Sequence, residues 1–427
     1  MNYQEKFEHS IASLPFLNLR EKDRLFLKKK SHELLFGHQD LRQIVNLAVD
    51  LKMWQEPLLE NLWPDEINFD HLSGKQKKQK LLSELYKRSE KIKEHVVFNR
   101  EALNTSLARE KVKILPAADP LNSKILGRCP VASEKTLCCN LITLDAVQNC
   151  GLGCSYCSIQ TFYTDNKAYV EDNLLEKLRS LSFDPNQTYH VGTGQSSDSL
   201  MWGNLSGILD GLLTFAKENP NVILEFKTKS NNVSYLLKQE IPRNVICTWS
   251  LNPDVVIQNE EHYSASLDQR LKAARSLADK GVKVGFHLHP IVHYEGFEKD
   301  YQDIGKRLTS DFDSSEVALV SLGTLTFTKK VMSTIRSRDF HSKILQMPMV
   351  DAAGKFSYPK AVKLSLFKNA YDSLALWHDK VFFYLCMEDR SYWKPVFGFE
   401  FDDNTHFEKS MKQSYLNKIN GIQEVSK

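Results

Sequence analysis

Three cysteines, Cys150, Cys154 and Cys157, stand in the run Cys-Gly-Leu-Gly-Cys-Ser-Tyr-Cys. A C-x3-C-x2-C spacing with glycines between the first two thiols suits a loop that wraps around a metal centre. Short local runs of this kind hold iron–sulfur clusters through thiolates. A closed tetrahedral zinc site would need a fourth ligand, usually from a second C-x2-C or an H-x3-H further on, and neither follows. Three ligands on a cubane cluster leave one iron open to a ligand. The plainer alternative is three buried thiols acting as small apolar residues. It does not explain the two intervening glycines.

The elements that must position this loop read as α/β. Leu141–Leu144 is a strand that feeds the loop, and Val170 to Leu181 reads as a helix. Further strands are expected at Tyr189–Val191, Val222–Thr228, Val245–Leu251, Val282–Leu288 and Val317–Leu322, with amphipathic helices at Ser266–Lys280 and Phe297–Leu308. Six β-then-α units in a row imply parallel strands joined by right-handed crossovers. Polar residues follow each strand: the cysteines, Gly192–Asp198, Thr228–Ser230, Ser250–Asn252 and His289. An open doubly wound sheet would gather its ligand at one switch point. Polar residues at every strand end favour a partial barrel with its site at the C-terminal face.

Residues 1–110 differ from this pattern: they are helical and lysine-rich, with little glycine, and form an N-terminal extension. Residues 111–340 make the partial barrel. Residues 341–427 make a C-terminal appendage with a strand-like stretch at Val381–Cys386. The basic run Lys75, Lys77, Lys78, Lys80 reads as a solvated helix face. The chain has 427 residues and a formal net charge of +3. That charge permits a local basic face without demanding one. No stretch is long and apolar enough for a membrane span, and the N-terminus lacks a secretory pattern, so a cytoplasmic protein is expected. Eight cysteines there argue for metal or redox chemistry over disulfides. Cys138 and Cys139 read as packing residues on opposite faces of a strand, and Cys129, Cys247 and Cys386 as structural.

Several polar residues have two readings. Gly194 could close a tight turn or let backbone approach a ligand. Ser197 could cap the following helix or hydrogen-bond a cofactor. Lys229 ends an apolar strand, where lysine is seldom buried unless paired. Ser250 and Asn252 share one strand face, and inside a barrel both need partners. His287, His289 and His293 form H-x-H-x3-H, which could bind a metal. The basic residues Lys329, Lys330, Arg336 and Arg338 could be a solvated helix or phosphate contacts.

The ordered set Cys150–Gln160, Phe226-Lys-Thr-Lys229, Trp249-Ser-Leu-Asn252, Ser266–Arg275, Gly285-Phe, Pro290-Ile, Glu295-Gly-Phe and Phe327-Thr-Lys329 resembles the spore photoproduct lyase family of the radical S-adenosylmethionine superfamily over roughly residues 140–330. The resemblance implies a partial (β/α)6 barrel of the radical SAM type. It implies a 4Fe–4S cluster on Cys150, Cys154 and Cys157, whose open iron chelates S-adenosyl-L-methionine for reductive cleavage to a 5′-deoxyadenosyl radical. Cofactor contacts implied by it are Tyr156, Gly194, Ser197, Lys229, Ser250, Asn252 and, chiefly through backbone, His289. A nucleic-acid substrate and an electron donor such as flavodoxin or ferredoxin are the implied partners; oligomeric state is left open.

Two positions depart from the family. Where the family has a cysteine that returns a hydrogen atom to the substrate radical, this chain has Gln195. Where it has a tyrosine after the third cluster cysteine, this chain has Ser158. An amide is no hydrogen-atom donor, so no catalytic residue is assigned. Three functions compete: nucleic-acid photoproduct repair or related chemistry, a radical enzyme acting on a small molecule or protein, and a scaffold that keeps the fold without catalysis.

Overall fold

The computed structural model describes residues 2–100, 112–116, 124–129, 136–162, 167–352, 354–422 and 425, apart from the side chain of Gln160. The transition expected near residue 110 lies outside the described residues. The chain divides into two compact units. One comprises residues 1–99, 293–295 and 326–359; the other comprises 100–292, 296–325 and 360–427.

The first unit contains the helices Tyr3–Ala12, Glu21–Leu34, His38–Met53, Gly74–Glu94 and Lys329–Ser337, with a small antiparallel sheet of Thr326–Phe327, Lys355–Ser357 and Val350–Ala352. Its core forms where apolar residues recur at helical spacing: Leu41, Ile44, Val45, Ala48 and Leu51 are all buried. In the lysine run, Lys75 and Lys80 are exposed, whereas Lys77 donates to Asp70 (2.7 Å) and Lys78 to Asp40 (3.0 Å).

The second unit is built on an eight-stranded curled sheet. Its strands are β1 (Leu126–Arg128), β2 (Ile142–Leu144), β3 (Tyr189–Thr193), β4 (Val222–Thr228), β5 (Val245–Ser250), β6 (Lys283–Ile291), β7 (Val317–Thr324) and β8 (Phe382–Leu385). They lie side by side in chain order. β2 to β8 are parallel and β1 alone is antiparallel. Runs such as Val-Ile-Leu-Glu-Phe and Val-Ile-Cys-Thr-Trp fit parallel strands covered on both faces. The strand expected at Val381–Cys386 joins this sheet as β8. The sheet curls enough that Tyr415, on the helix Asn404–Ile419, stands edge-on to both His190 of β3 (5.3 Å) and Phe382 of β8 (6.1 Å). The six parallel strands β2 to β7 expected of a partial barrel are present, in the α/β class expected, although the crossover from β4 to β5 carries only the 3-10 turn Leu236–Lys238 in place of a helix.

Two local expectations were different. Val170 does not open a helix; Lys167–Val170 is a strand between Lys113–Pro116 and Val147–Gln148, and the helix begins at Leu174. Alternating burial along Lys-Ala-Tyr-Val satisfies the strand period, and Asp172-Asn173 interrupts the helical one. Cys138 and Cys139 lie in irregular chain followed by Asn140 at φ +50°, with the Cys138 N–H donating to Asn404 Oδ1 (2.9 Å). Among the described residues no helix is long and apolar enough to cross a membrane.

A belt of polar side chains crosses the middle of the sheet, one from each of five consecutive strands. Glu225 on β4 accepts from His190 on β3 (2.8 Å), Thr248 on β5 (2.6 Å) and His287 on β6 (2.8 Å). The second His287 nitrogen pairs with Ser321 on β7 (2.5 Å). Burial alone would raise the Glu225 carboxyl, but bonds from His190 and His287 reverse this and hold it well below the usual carboxylate range. Burial, with Lys227 adding to it and Glu225 opposing it, lowers His287 to about 4. His287 is therefore neutral. A carboxylate only accepts, so Nε2 carries the proton and Nδ1 accepts from the Ser321 hydroxyl.

Candidate active site

The cysteine loop leaves β2 and is stapled to the chain after the helix Asp254–Glu260. Ser155 N–H donates to Glu260 O (2.8 Å) and Tyr263 N–H to Leu152 O (3.1 Å), and Cys154 bridges Glu261. Asn149 turns the chain into the loop at φ +70°, accepting from Cys150 N–H (2.8 Å) and donating to Lys167 O (2.8 Å). Gly153 sits at φ +64°, where a Cβ would be 2.8 Å from the Tyr263 ring, so this position needs glycine. Cys154 is buried, and Cys150 and Cys157 are partly so. Burial and then Asp198 push the Cys150 thiol up to about 12, and burial and then Glu261 push the Cys154 thiol well above its ordinary value; Cys157 adds to both. Among the described residues, no three His, Cys, Asp or Glu side chains are drawn in to metal-ligand spacing.

Gly194 follows β3 at φ +90°, where a Cβ would lie 2.5 Å from Lys227 O. Only glycine lets the β3 and β4 ends approach this closely. Ser196 ties the same loop to the cysteine side through Asp145 (2.6 Å) and Val147 O (2.9 Å). Ser197 Oγ accepts from the Trp202 indole (2.8 Å). Asp198, buried, accepts from Thr228 Oγ1 (2.7 Å), Lys229 N–H (2.7 Å), Leu200 N–H (3.0 Å) and Met201 N–H (2.9 Å). It thereby fixes where β4 ends and where Lys229 begins.

Glu261 is the hub of the strand ends. Its buried carboxylate accepts from Asn252 Nδ2 (2.8 Å), Lys229 Nζ (3.1 Å), the Tyr156 hydroxyl and the Arg270 guanidinium. Burial alone would raise this carboxyl; Arg270 and Lys229 reverse that and hold it well below the usual range. Arg270, fully buried, also donates to Ser250 O (2.7 Å) and Ala265 O (2.8 Å). Tyr301 completes the Asn252 amide by donating to its Oδ1 (2.7 Å). The Lys229 ammonium lies 5.6 Å from the Tyr156 ring centroid.

The structure thus gathers Tyr156, Lys229 and Asn252 on one carboxylate, with Ser250 tied in through Arg270. Gly194 and Ser197 stand on the adjoining β3–β4 side. His289, half-buried at the end of β6, packs its ring against Gly323, where a Cβ would be 2.8 Å away. Burial and then Lys227 hold the His289 imidazole well below its ordinary value. Gln195 is half-buried in the loop after β3, and Ser158 opens a short 3-10 turn. Glu261 was not foreseen as a site residue, and Asp198 only as the end of the polar run after β3. A signal existed for the first: Arg270 shares the buried stripe of its helix with Leu267, Leu271, Ala274 and Leu277, and a buried arginine demands a carboxylate.

A family model described as Spore photoproduct lyase matches residues 142–365. Among curated proteins, the Spore photoproduct lyase of Clostridium acetobutylicum is 27% identical over 222 residues, covering 50% of this chain and 64% of that protein. That of Bacillus subtilis is 27% identical over 160 residues, covering 36% and 47%. The chain therefore spans less than two thirds of either relative. Among solved structures, a spore photoproduct lyase variant with bound AdoMet and dinucleoside spore photoproduct superposes with a TM-score of 0.52 at 21% identity, covering 70% of this chain and 84% of that one. A cysteine-to-serine variant gives 0.51 at 23%, covering 56% and 75%.

Proposed function

Because the chain belongs to the spore photoproduct lyase family, we propose that it is a radical S-adenosylmethionine enzyme with its 4Fe–4S cluster on Cys150, Cys154 and Cys157. S-adenosyl-L-methionine would lie across the strand ends at Tyr156, Gly194, Ser197, Lys229, Ser250, Asn252 and His289. The observation that carries this reading is the convergence of Tyr156, Lys229 and Asn252 on the Glu261 carboxylate beside the cysteine loop. When bound, the cluster supplies the electron that splits the sulfonium and releases a 5′-deoxyadenosyl radical.

The residues present fit these groups. Three soft thiols on one loop suit iron and sulfide. Burial of Cys150 and Cys154 favours their neutral form, and the positive charge of coordinated irons would make thiolates there. Lys229 donates one N–H to Glu261 and, among the described residues, its other two have no acceptor. They are available to a ligand carboxylate. Glu261 orients Lys229, Tyr156 and Asn252, and Arg270 keeps Glu261 ionised. The glycine at 194 lets a ligand meet backbone at the β3 end, and the buried walls exclude water from the bond that breaks.

For the substrate we propose a DNA photoproduct or a related nucleic-acid lesion, with flavodoxin or ferredoxin as electron donor in the cytoplasm. The support is family membership and the dinucleoside spore photoproduct held by related structures. Gln195 favours a second reading, a radical enzyme acting on a small molecule or protein, because its amide does not donate a hydrogen atom. The test is reductive incubation of the reconstituted protein with S-adenosylmethionine and UV-irradiated DNA, following 5′-deoxyadenosine and thymine together. Both products are expected for repair. Cofactor cleavage without thymine recovery transfers the case to the second reading, and absence of 5′-deoxyadenosine sinks the radical assignment.

A further inference from the structure

The helical unit contains a cavity of about 470 Å³ that the radical chemistry does not use. Its volume is in the range of small-molecule sites. Arg42, from the helix His38–Met53, and Lys329, from the helix Lys329–Ser337, stand at its rim with His38, and no carboxylate lines it. Both cations are exposed, and neither has a hydrogen-bond or ion-pair partner among the described residues. Arg336, also in the wall, differs: Asp50 grips it at 2.8 and 2.7 Å, so it is a fixed surface. The remaining wall is amphipathic. Leu14, Met332 and Phe356 offer apolar contact, and Asn46 and Ser333 offer polar atoms.

A second observation points the same way. Asn46 and Arg336 also line an adjoining cavity of about 240 Å³, whose other walls include Trp54, Tyr86 and the carboxylates Asp50 and Glu90. Trp54 is fully buried, and among the described residues its indole Nε1 and the Tyr86 hydroxyl have no hydrogen-bond partner. An indole N–H only donates, and buried donors in folded proteins are almost always satisfied. Among the described residues no acceptor reaches either atom; a ligand hydroxyl oxygen would, and Asp50 and Glu90 in the same wall keep the anionic end in the larger cavity.

We infer that the larger cavity, with its neighbour, is a second ligand site, taking a phosphate ester of mononucleotide size whose anionic end lies in the larger one. Its oxyanion meets Arg42 and Lys329, and its apolar body lies against Leu14, Met332 and Phe356. The same chemistry is offered by a free nucleotide and by an unpaired nucleotide of a single strand. The site is independent of the radical reading, because binding here needs neither cluster nor turnover.

The experiment is calorimetric titration of the full chain with thymidine monophosphate, thymidine and inorganic phosphate, and anisotropy of a labelled single-stranded oligonucleotide. Thymidine monophosphate is expected to bind more tightly than either fragment. The double substitution Arg42→Ala, Lys329→Ala should weaken it roughly 10- to 100-fold, as loss of charge-assisted bonds does. Ser333→Asp, which brings a negative charge into the cavity, should weaken it as well without removing a cation. Binding by the oligonucleotide alone, weakened by the same substitutions, supports the site and identifies the strand as its source. Equal affinity for inorganic phosphate and the nucleotide, affinity within about twofold in both variants, or no binding overturns it.

Discussion

Replacing His287 with glutamine should flatten the acid side of the stability profile. His287 is neutral in the folded protein because burial, Lys227 and Lys229 lower its imidazole to about 4, against the pull of Glu225. In the unfolded chain the same group titrates near its ordinary 6.5. Below that pH the unfolded state takes up a proton that the folded state refuses, so this contribution is full above about pH 6.5 and is lost as pH falls toward about 4. At about 1.4 kcal/mol per tenfold change in proton affinity, the whole effect is about 3 kcal/mol, of which about 2 kcal/mol is lost between about pH 7.5 and pH 5. Glutamine keeps an N–H near the Nε2 position for Glu225 and cannot titrate. The variant should lose roughly 1–2 kcal/mol at neutral pH, for the bond to Ser321. Urea unfolding of both proteins at the two pH values then gives a double difference in which other histidines cancel. A variant whose stability drops as far as the wild type between those pH values would refute the neutral, buried assignment of His287.

Two further perturbations probe the strand ends. Glu261→Gln removes the charge that Arg270 and Lys229 face, leaving a fully buried guanidinium unpaired, so urea unfolding should report a loss of about 3 kcal/mol or more. A loss under about 1 kcal/mol would mean that Glu261 does not organise the site. Gly194→Ala forces a side chain onto φ +90° and against Lys227 O, and thermal melting should fall by the equivalent of about 1–3 kcal/mol. An unchanged melting temperature would mean that β3 and β4 do not approach as closely as described.

What the sequence exposes is what local periodicity and spacing encode. The β-then-α alternation, the parallel strand order and the cysteine loop are all written in short windows, so Leu141–Leu144 through Val317–Leu322 could be read in order. The polar belt could not. Glu225, His190, Thr248, His287 and Ser321 come from strands up to about 130 residues apart, and each alone is an unremarkable polar residue in an apolar run. Only the register, with Ser250 beside His287 and Phe226 beside Cys247, brings them to one level. Glu261 is an intermediate case. Its partners Tyr156, Lys229 and Asn252 were each expected as cofactor contacts, Tyr156 through the family resemblance, yet the carboxylate that joins them was not expected, because an acidic residue after a helix ordinarily faces solvent. The decisive residue was its neighbour in space: a guanidinium on the apolar stripe of an amphipathic helix cannot be stable without a buried anion. A site of this kind is found by asking which buried charge lacks a partner in the sequence, and Arg270 posed that question before any coordinates were needed.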